Sequence, residues 1–238
     1  MRTGSLLAVT AAVLALASSA QAANLVVNGD FSAGNSVFTS GYTYSPGSNT
    51  TEGEYTIRTD PYPWNSNFVS VGDHTTGTGL MFVGNGSPTL GQLVWQSGTI
   101  AIDPTTNYFF EAFVMNVCCN ASYGGANSPP VLDFSISLNG GAPVLLNTLT
   151  IPLSPAGVWH GLSTSFNSGG STTAVLSLIN GNTAPGGNDF AVDDIFLGTV
   201  STVGGIPEPG TWAMLLAGFA GIGSALRSRR KVRIAAVG

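Results

Sequence analysis

A chain of 238 residues with 8% charged residues, 43% hydrophobic residues and 32 glycines accommodates one domain of moderate size plus processing segments, in a composition unlike that of a cytosolic enzyme. The net charge of −5 is segregated: Arg2 lies near the start, and Arg227, Arg229, Arg230, Lys231 and Arg233 lie near the end. Within residues 23–200 Arg58 alone stands against eleven acids, a balance that repels polyanions and excludes a nucleic-acid partner. The same surface would draw in divalent cations or serve only to keep the domain soluble.

The first 22 residues carry Arg2, then an apolar stretch from Leu6 to Ala17, then Ala20-Gln21-Ala22. A positive start, a short apolar core and an A-x-A end predict a secretory signal peptide over residues 1–22, cut by signal peptidase. The stretch is too short, and its flank too rich in small residues, for a membrane anchor.

Residues 23–200 show little helical periodicity and many short apolar runs between turn clusters. Strands are predicted over 24–27, 54–59, 67–71, 79–83, 92–96, 108–117, 131–138, 144–150, 159–166, 173–179 and 189–197. Phe134, Ile136 and Leu138 alternate with Ser135 and Ser137, the pattern of a half-buried antiparallel strand. Asn139-Gly140-Gly141 follows with the positive-φ residues of a tight hairpin. The fold class is therefore all-β, an antiparallel sandwich of the jelly-roll kind.

Along this region several side chains invite a chemical reading. Tyr62 and Trp64 lie in Asp60-Pro61-Tyr62-Pro63-Trp64-Asn65, where the prolines restrict the backbone. Such a platform could stack on the C–H face of a sugar while neighbouring amides read its hydroxyls; alternatively Trp64 plugs the end of the sandwich. His74 and His160 are the only histidines, too few and too far apart for a zinc site. No serine stands in a nucleophile-elbow context beside Asp73-His74. A glycosidase needs two opposed carboxylates; Glu111 and Asp133 are candidates, though nothing in the sequence singles them out. Catalytic residues are therefore assigned to none, and the chain is expected not to be an enzyme. Cys118-Cys119 are the only cysteines. In an exported chain they form a vicinal disulfide, bridge two chains or stay as thiols.

At the far end, Pro207-Glu208-Pro209 precedes an apolar segment over 212–226 and a basic cluster containing Arg227, Arg229 and Arg230. The apolar segment predicts a short hydrophobic helix, with the cluster retained on the cytoplasmic side. The prolines stop the helix from extending backward. Residues 201–206 read as a linker, 207–231 as this tripartite signal and 232–238 as a short tail. The pattern resembles the PEP-CTERM sorting signal. That resemblance implies processing by exosortase after transient residence in the inner membrane. The product would lie in the cell envelope, on the surface or in an extracellular, exopolysaccharide-rich matrix such as that of a biofilm.

Two further motifs bracket the middle region: Asn28-Gly29-Asp30-Phe31-Ser32-Ala33-Gly34 at its start and Asp193-Asp194-Ile195-Phe196-Leu197 at its end. Together they resemble galactose-binding-like jelly rolls, which include many carbohydrate-binding modules. The resemblance implies first and last strands side by side, with a structural calcium held by Asp30 and Asp193 and by Asp194 as a further candidate. Ser32 stands where that family usually has a glutamate ligand. The expected role is non-enzymatic association with polysaccharide, with a purely structural or adhesive role as the alternative and a carbohydrate-active enzyme as the weakest.

Overall fold

In the computed structural model the described residues are 23–120, 128–184, 186–203 and 218–219. The signal peptide predicted over 1–22 and the sorting residues Pro207, Glu208, Pro209, Arg227, Arg229 and Arg230 lie outside them, as does the 212–226 segment apart from Gly218 and Phe219.

The described residues form twelve strands, in chain order β1 (Phe38–Thr39), β2 (Thr43–Tyr44), β3 (Glu54–Arg58), β4 (Met81–Gly84), β5 (Leu93–Ser97), β6 (Ile100–Ala101), β7 (Asn107–Asn116), β8 (Val131–Leu138), β9 (Val144–Thr150), β10 (Trp159–Asn167), β11 (Thr173–Asn180) and β12 (Phe190–Gly198). Sheet A runs β1-β5-β11-β8-β9, with β6 also on β11; sheet B runs β10-β7-β12-β4-β3-β2. All pairings are antiparallel except the short β2–β3 pair. Asn139 and Gly140 have φ of 49° and 70°, so the β8–β9 hairpin turns where the sequence supplies residues that tolerate it.

Alternation fills the space between the sheets. Leu132, Phe134 and Ile136 of β8 and Leu176 and Leu178 of β11 meet Phe110, Ala112 and Val114 of β7 and Phe190, Val192, Ile195 and Leu197 of β12. Aromatic rings knit the β3–β4 end, with Tyr55 stacked on Phe82 at 4.7 Å and Phe82 on Phe190 at 6.2 Å.

Sheet B has a second core on its outer face. Met81, Val83, Met115, Val117 and Ala191 point away from the sandwich and are covered by Trp64, Phe68 and the Cys118–Cys119 pair. Residues 67–71, predicted as a strand, instead form part of this cover, joined to the segment that follows β7 by an isolated bridge between Phe68 and Cys118 and by Val69 N–H donating to Val117 O at 2.9 Å. Residues 24–27 are likewise not a strand, but they lie beside β12: Leu25 N–H donates to Leu197 O at 2.8 Å, and Ile195 N–H donates to Gly29 O at 2.9 Å. Gly29 is required there, because a Cβ would stand 2.0 Å from Ile195 O. The start and end of the domain are thus side by side.

Candidate functional site

Trp64 is 2% exposed, and its indole N–H donates to Ser45 O at 2.9 Å. Its ring packs on Phe68 at 6.1 Å within the outer core. The sequence-based platform is corrected here: a buried ring offers no face to a sugar, and Trp64 fastens its loop to the sheet. The proline-flanked backbone still presents Tyr62, which is 48% exposed. Its N–H is held by Asp60 Oδ1 at 3.0 Å, while Asp60 Oδ2 accepts from Ser70 Oγ at 2.6 Å. Asn49 N–H donates to Trp64 O, and Asn65 Nδ2 donates to Asn49 Oδ1, both at 2.9 Å, so a second loop is stitched beside it. An exposed tyrosine on a fixed loop, with amides nearby, survives from the predicted site.

The β12 motif forms a different cluster. The strand shifts register between Asp193 and Phe196, and Asp194 takes a positive φ of 49° in that irregularity. Asp193 is fully buried; its Oδ2 accepts from His74 N–H at 2.9 Å and from Thr75 N–H and Oγ1 at 3.2 Å. Burial, reinforced by the neighbouring Asp194 charge, pushes its carboxyl up to about 7. Asp194 reaches outward to His74 Nδ1 at 2.6 Å and Thr75 Oγ1 at 2.7 Å. The His74 ring lies flat on Phe113 at 3.5 Å and edge-on to Trp159 at 5.8 Å. Two carboxylates thus clamp the 74–75 turn onto the bulge. Sequence reading missed this pairing, because its members lie 120 residues apart and the motif that contains Asp194 says nothing of His74.

Asp30, by contrast, spends Oδ1 on the N–H and hydroxyl of its own Ser32, at 3.3 and 2.9 Å. Among the described residues no group of three His, Cys, Asp or Glu side chains is assembled that could hold a metal. The calcium ligand set implied for Asp30, Asp193 and Asp194 is incomplete. Asp193 has a buried Oδ1 without a partner.

Glu111 and Asp133 do not face one another. Phe110 and Ala112 point into the sandwich, so Glu111 lies on the outer face of sheet B. Leu132 and Phe134 likewise point inward, so Asp133 lies on the outer face of sheet A, where it accepts from Thr148 Oγ1. A whole sandwich separates the two carboxylates, which cannot act on one glycosidic bond. His160 is a strand residue of β10 opposite Val114. Cys118 and Cys119 are joined to each other, 3% and 9% exposed in the outer core.

No curated protein matches this chain. Among solved structures it is similar to TmCBM61 in complex with β-1,4-galactotriose, at 12% identity over 75% of this chain and 99% of that one, with a TM-score of 0.43. It is also similar to the CBM22-1-CBM22-2 tandem of Paenibacillus barcinonensis Xyn10C, at 14% identity over 82% and 49% of the two chains, with a TM-score of 0.44. A third is a Stig cyclase from Fischerella sp. TAU, at 12% identity over 74% and 97%, with a TM-score of 0.47. At the C-terminus, residues 205–231 match the PEP-CTERM protein-sorting motif, which makes this an exported, envelope-associated protein carrying an all-β sandwich.

Proposed function

We propose that this chain is a non-enzymatic surface protein, sorted by exosortase, whose sandwich associates with extracellular polysaccharide. The observation that carries the reading is the sorting motif at 205–231 placed directly behind a folded β-sandwich. Two structural facts support it. Glu111 and Asp133, the two carboxylates considered for glycoside hydrolysis, lie on opposite faces of the domain. Tyr62 holds an exposed ring on a loop fixed by prolines and by the buried Trp64, so little entropy is lost on binding.

Affinity electrophoresis through the host's own polysaccharide tests the reading. Wild-type protein is expected to be retarded, and Tyr62→Ala to bind about tenfold more weakly, roughly 1.4 kcal/mol. The variant's melting temperature should stay where it is, since the ring is exposed. Equal retardation of the two proteins would remove Tyr62 from the account. Free passage of the wild type would favour a purely structural or adhesive role.

A further inference from the structure

Glu111 sits at the middle of β7, fully buried on the outer face of sheet B. Its carboxylate is surrounded by donors. Ser163 Oγ of β10 reaches Oε1 at 2.6 Å. Ser201 Oγ reaches the same oxygen. Thr202 N–H and Oγ1 reach Oε2 at 2.8 and 2.6 Å, and Val203 N–H reaches it at 3.3 Å. Burial alone would raise the carboxyl's pKa, but these hydroxyls and amides outweigh it and hold the group below its ordinary value. An ionised carboxylate only accepts, so every one of these donors is used in the sense the charge favours.

All but one of the donors belong to residues 201–203, which follow β12 and were expected to be linker. They form a strap across β7 and β10. The surface is shaped for it: at Gly161 of β10 a Cβ would stand 2.8 Å from Val203 Cγ1 and 2.9 Å from the Phe113 ring. Lifting the strap would strip a buried charge of most of its partners, which is costly unless water replaces them.

The strap ends just short of the sorting motif. From Val203 an extended chain reaches Pro207 within about 14 Å; from Gly198, with the strap lifted, it would reach about 30 Å. We propose that Glu111 is a clasp that fixes this exit segment to sheet B and so limits how far Pro207-Glu208-Pro209 can extend to the processing enzyme. Glu111 is a positioning residue, acting through Ser201, Thr202 and Val203. The proposal rests on the sorting reading above.

Two measurements on the full-length chain test it. In detergent-solubilised protein, hydrogen exchange at the Thr202 and Val203 amides is expected to be slow, and at least tenfold faster in Glu111→Gln, with β12 amides unchanged. In a host with the sorting machinery, a pulse-chase reads loss of the tail. Glu111→Gln is expected to be processed at least threefold faster. Four Gly/Ser residues inserted after Val203 should give the same acceleration in the wild type and add nothing in Glu111→Gln. A merely structural role for Glu111 would not make these changes interchangeable.

Should Glu111→Gln fail to fold, Ser201→Ala with Thr202→Val removes two hydroxyl donors and leaves the sheet intact; faster exchange at 202–203 and faster processing are again expected. Fast wild-type exchange at those amides, or processing that is unchanged or slower in the loosened variants, overturns the clasp. If the wild type itself is never processed, the sorting reading has failed, and the exchange result alone decides whether the strap is held.

Discussion

The two sheets of this sandwich solve the problem of their outer faces in opposite ways. The outer face of sheet A carries Asp133, Ser135, Ser137 and Ser177 along β8 and β11, with Asp133 and Ser137 partly exposed and Ser135 and Ser177 buried among neighbouring side chains, and β9 is its edge among the described strands. Sheet B buries its outer face beneath Trp64, Phe68 and the cysteine pair, and beneath the 74–75 turn and the 201–203 strap. The difference is visible in the strands themselves: β12 is buried at eight of its nine positions, whereas β9 has none. Segments that look like connections are therefore structural on one side of the molecule only. The carboxylates follow the same division. Glu111 and Asp193 are trapped under sheet B's cover, and Asp133 stays at the surface of sheet A.

Trp64→Ala breaks this contrast most severely. It removes a buried ring and the bond to Ser45 O, and leaves a cavity between Phe68 and the sheet. A loss of about 3–5 kcal/mol is expected in urea unfolding, the range for deleting a large buried aromatic. A loss below 1 kcal/mol would show that the loop cover contributes little and that sheet B is stable with one face open.

Next in size is the pH response. Asp189, buried at the start of β12, accepts from Gly86 N–H at 2.9 Å, yet burial and the Glu52 charge push its carboxyl up to about 7. A carboxyl raised in the folded state binds its proton more tightly there than in the unfolded chain. Its contribution is complete below the ordinary carboxylate value and is lost as pH rises toward 7. The difference corresponds to at most about 4 kcal/mol. Wild-type protein should therefore be less stable at pH 8 than at pH 5; Asp193, raised to about 7 in the same way, acts in the same window, so Asp189→Asn should remove about half of that slope in urea titrations at the two values. Glu54, Asp73 and Glu111 have the opposite sign. Burial opposes their charge, but hydrogen bonds hold each below its usual range, so their contribution is lost only under stronger acid. An unchanged slope in Asp189→Asn would move the effect elsewhere in the fold.

How much could be read beforehand follows the same line between the sheets. The β8 alternation and its Asn139-Gly140 turn are legible because one face is lined by Asp133, Ser135 and Ser137, so polarity marks orientation even where Ser135 is itself buried. Strands β7 and β12 are recognisable only as apolar runs, since burial on both faces erases the alternation. The 60–78 region, with its prolines, glycines and polar residues, reads as exposed loop around a strand expected at 67–71 that does not form. Its cover function lies in Trp64 and Phe68, and their burial depends on partners 13 or more residues away. The short β1, β2 and β6 carry no pattern long enough to detect. The candidate site divided in the same way. Tyr62 kept the exposure its loop suggested, Trp64 turned inward, and the carboxylates Asp193 and Glu111 found partners that no spacing in the sequence announces.

The smallest expected effect lies at the far edge of sheet A. Leu145 of β9 is 57% exposed and Val144 59%, beside a backbone edge that no other strand among the described residues covers. Strand β9 carries no charge, and Arg58 is the sole basic residue in 23–200, so no lysine guards this edge. Leu145→Lys places a charged end in water while its stem still lies along the strand, so folding stability should change by less than about 0.5 kcal/mol. The same substitution should lower any self-association at high protein concentration, because an edge-to-edge pair would set two ammonium groups near one another. Sedimentation velocity on wild type and variant, alongside urea unfolding, separates the two effects. A destabilisation comparable to that of Trp64→Ala would mean that sheet A, too, has a cover over its outer face, and the contrast between the sheets would be lost.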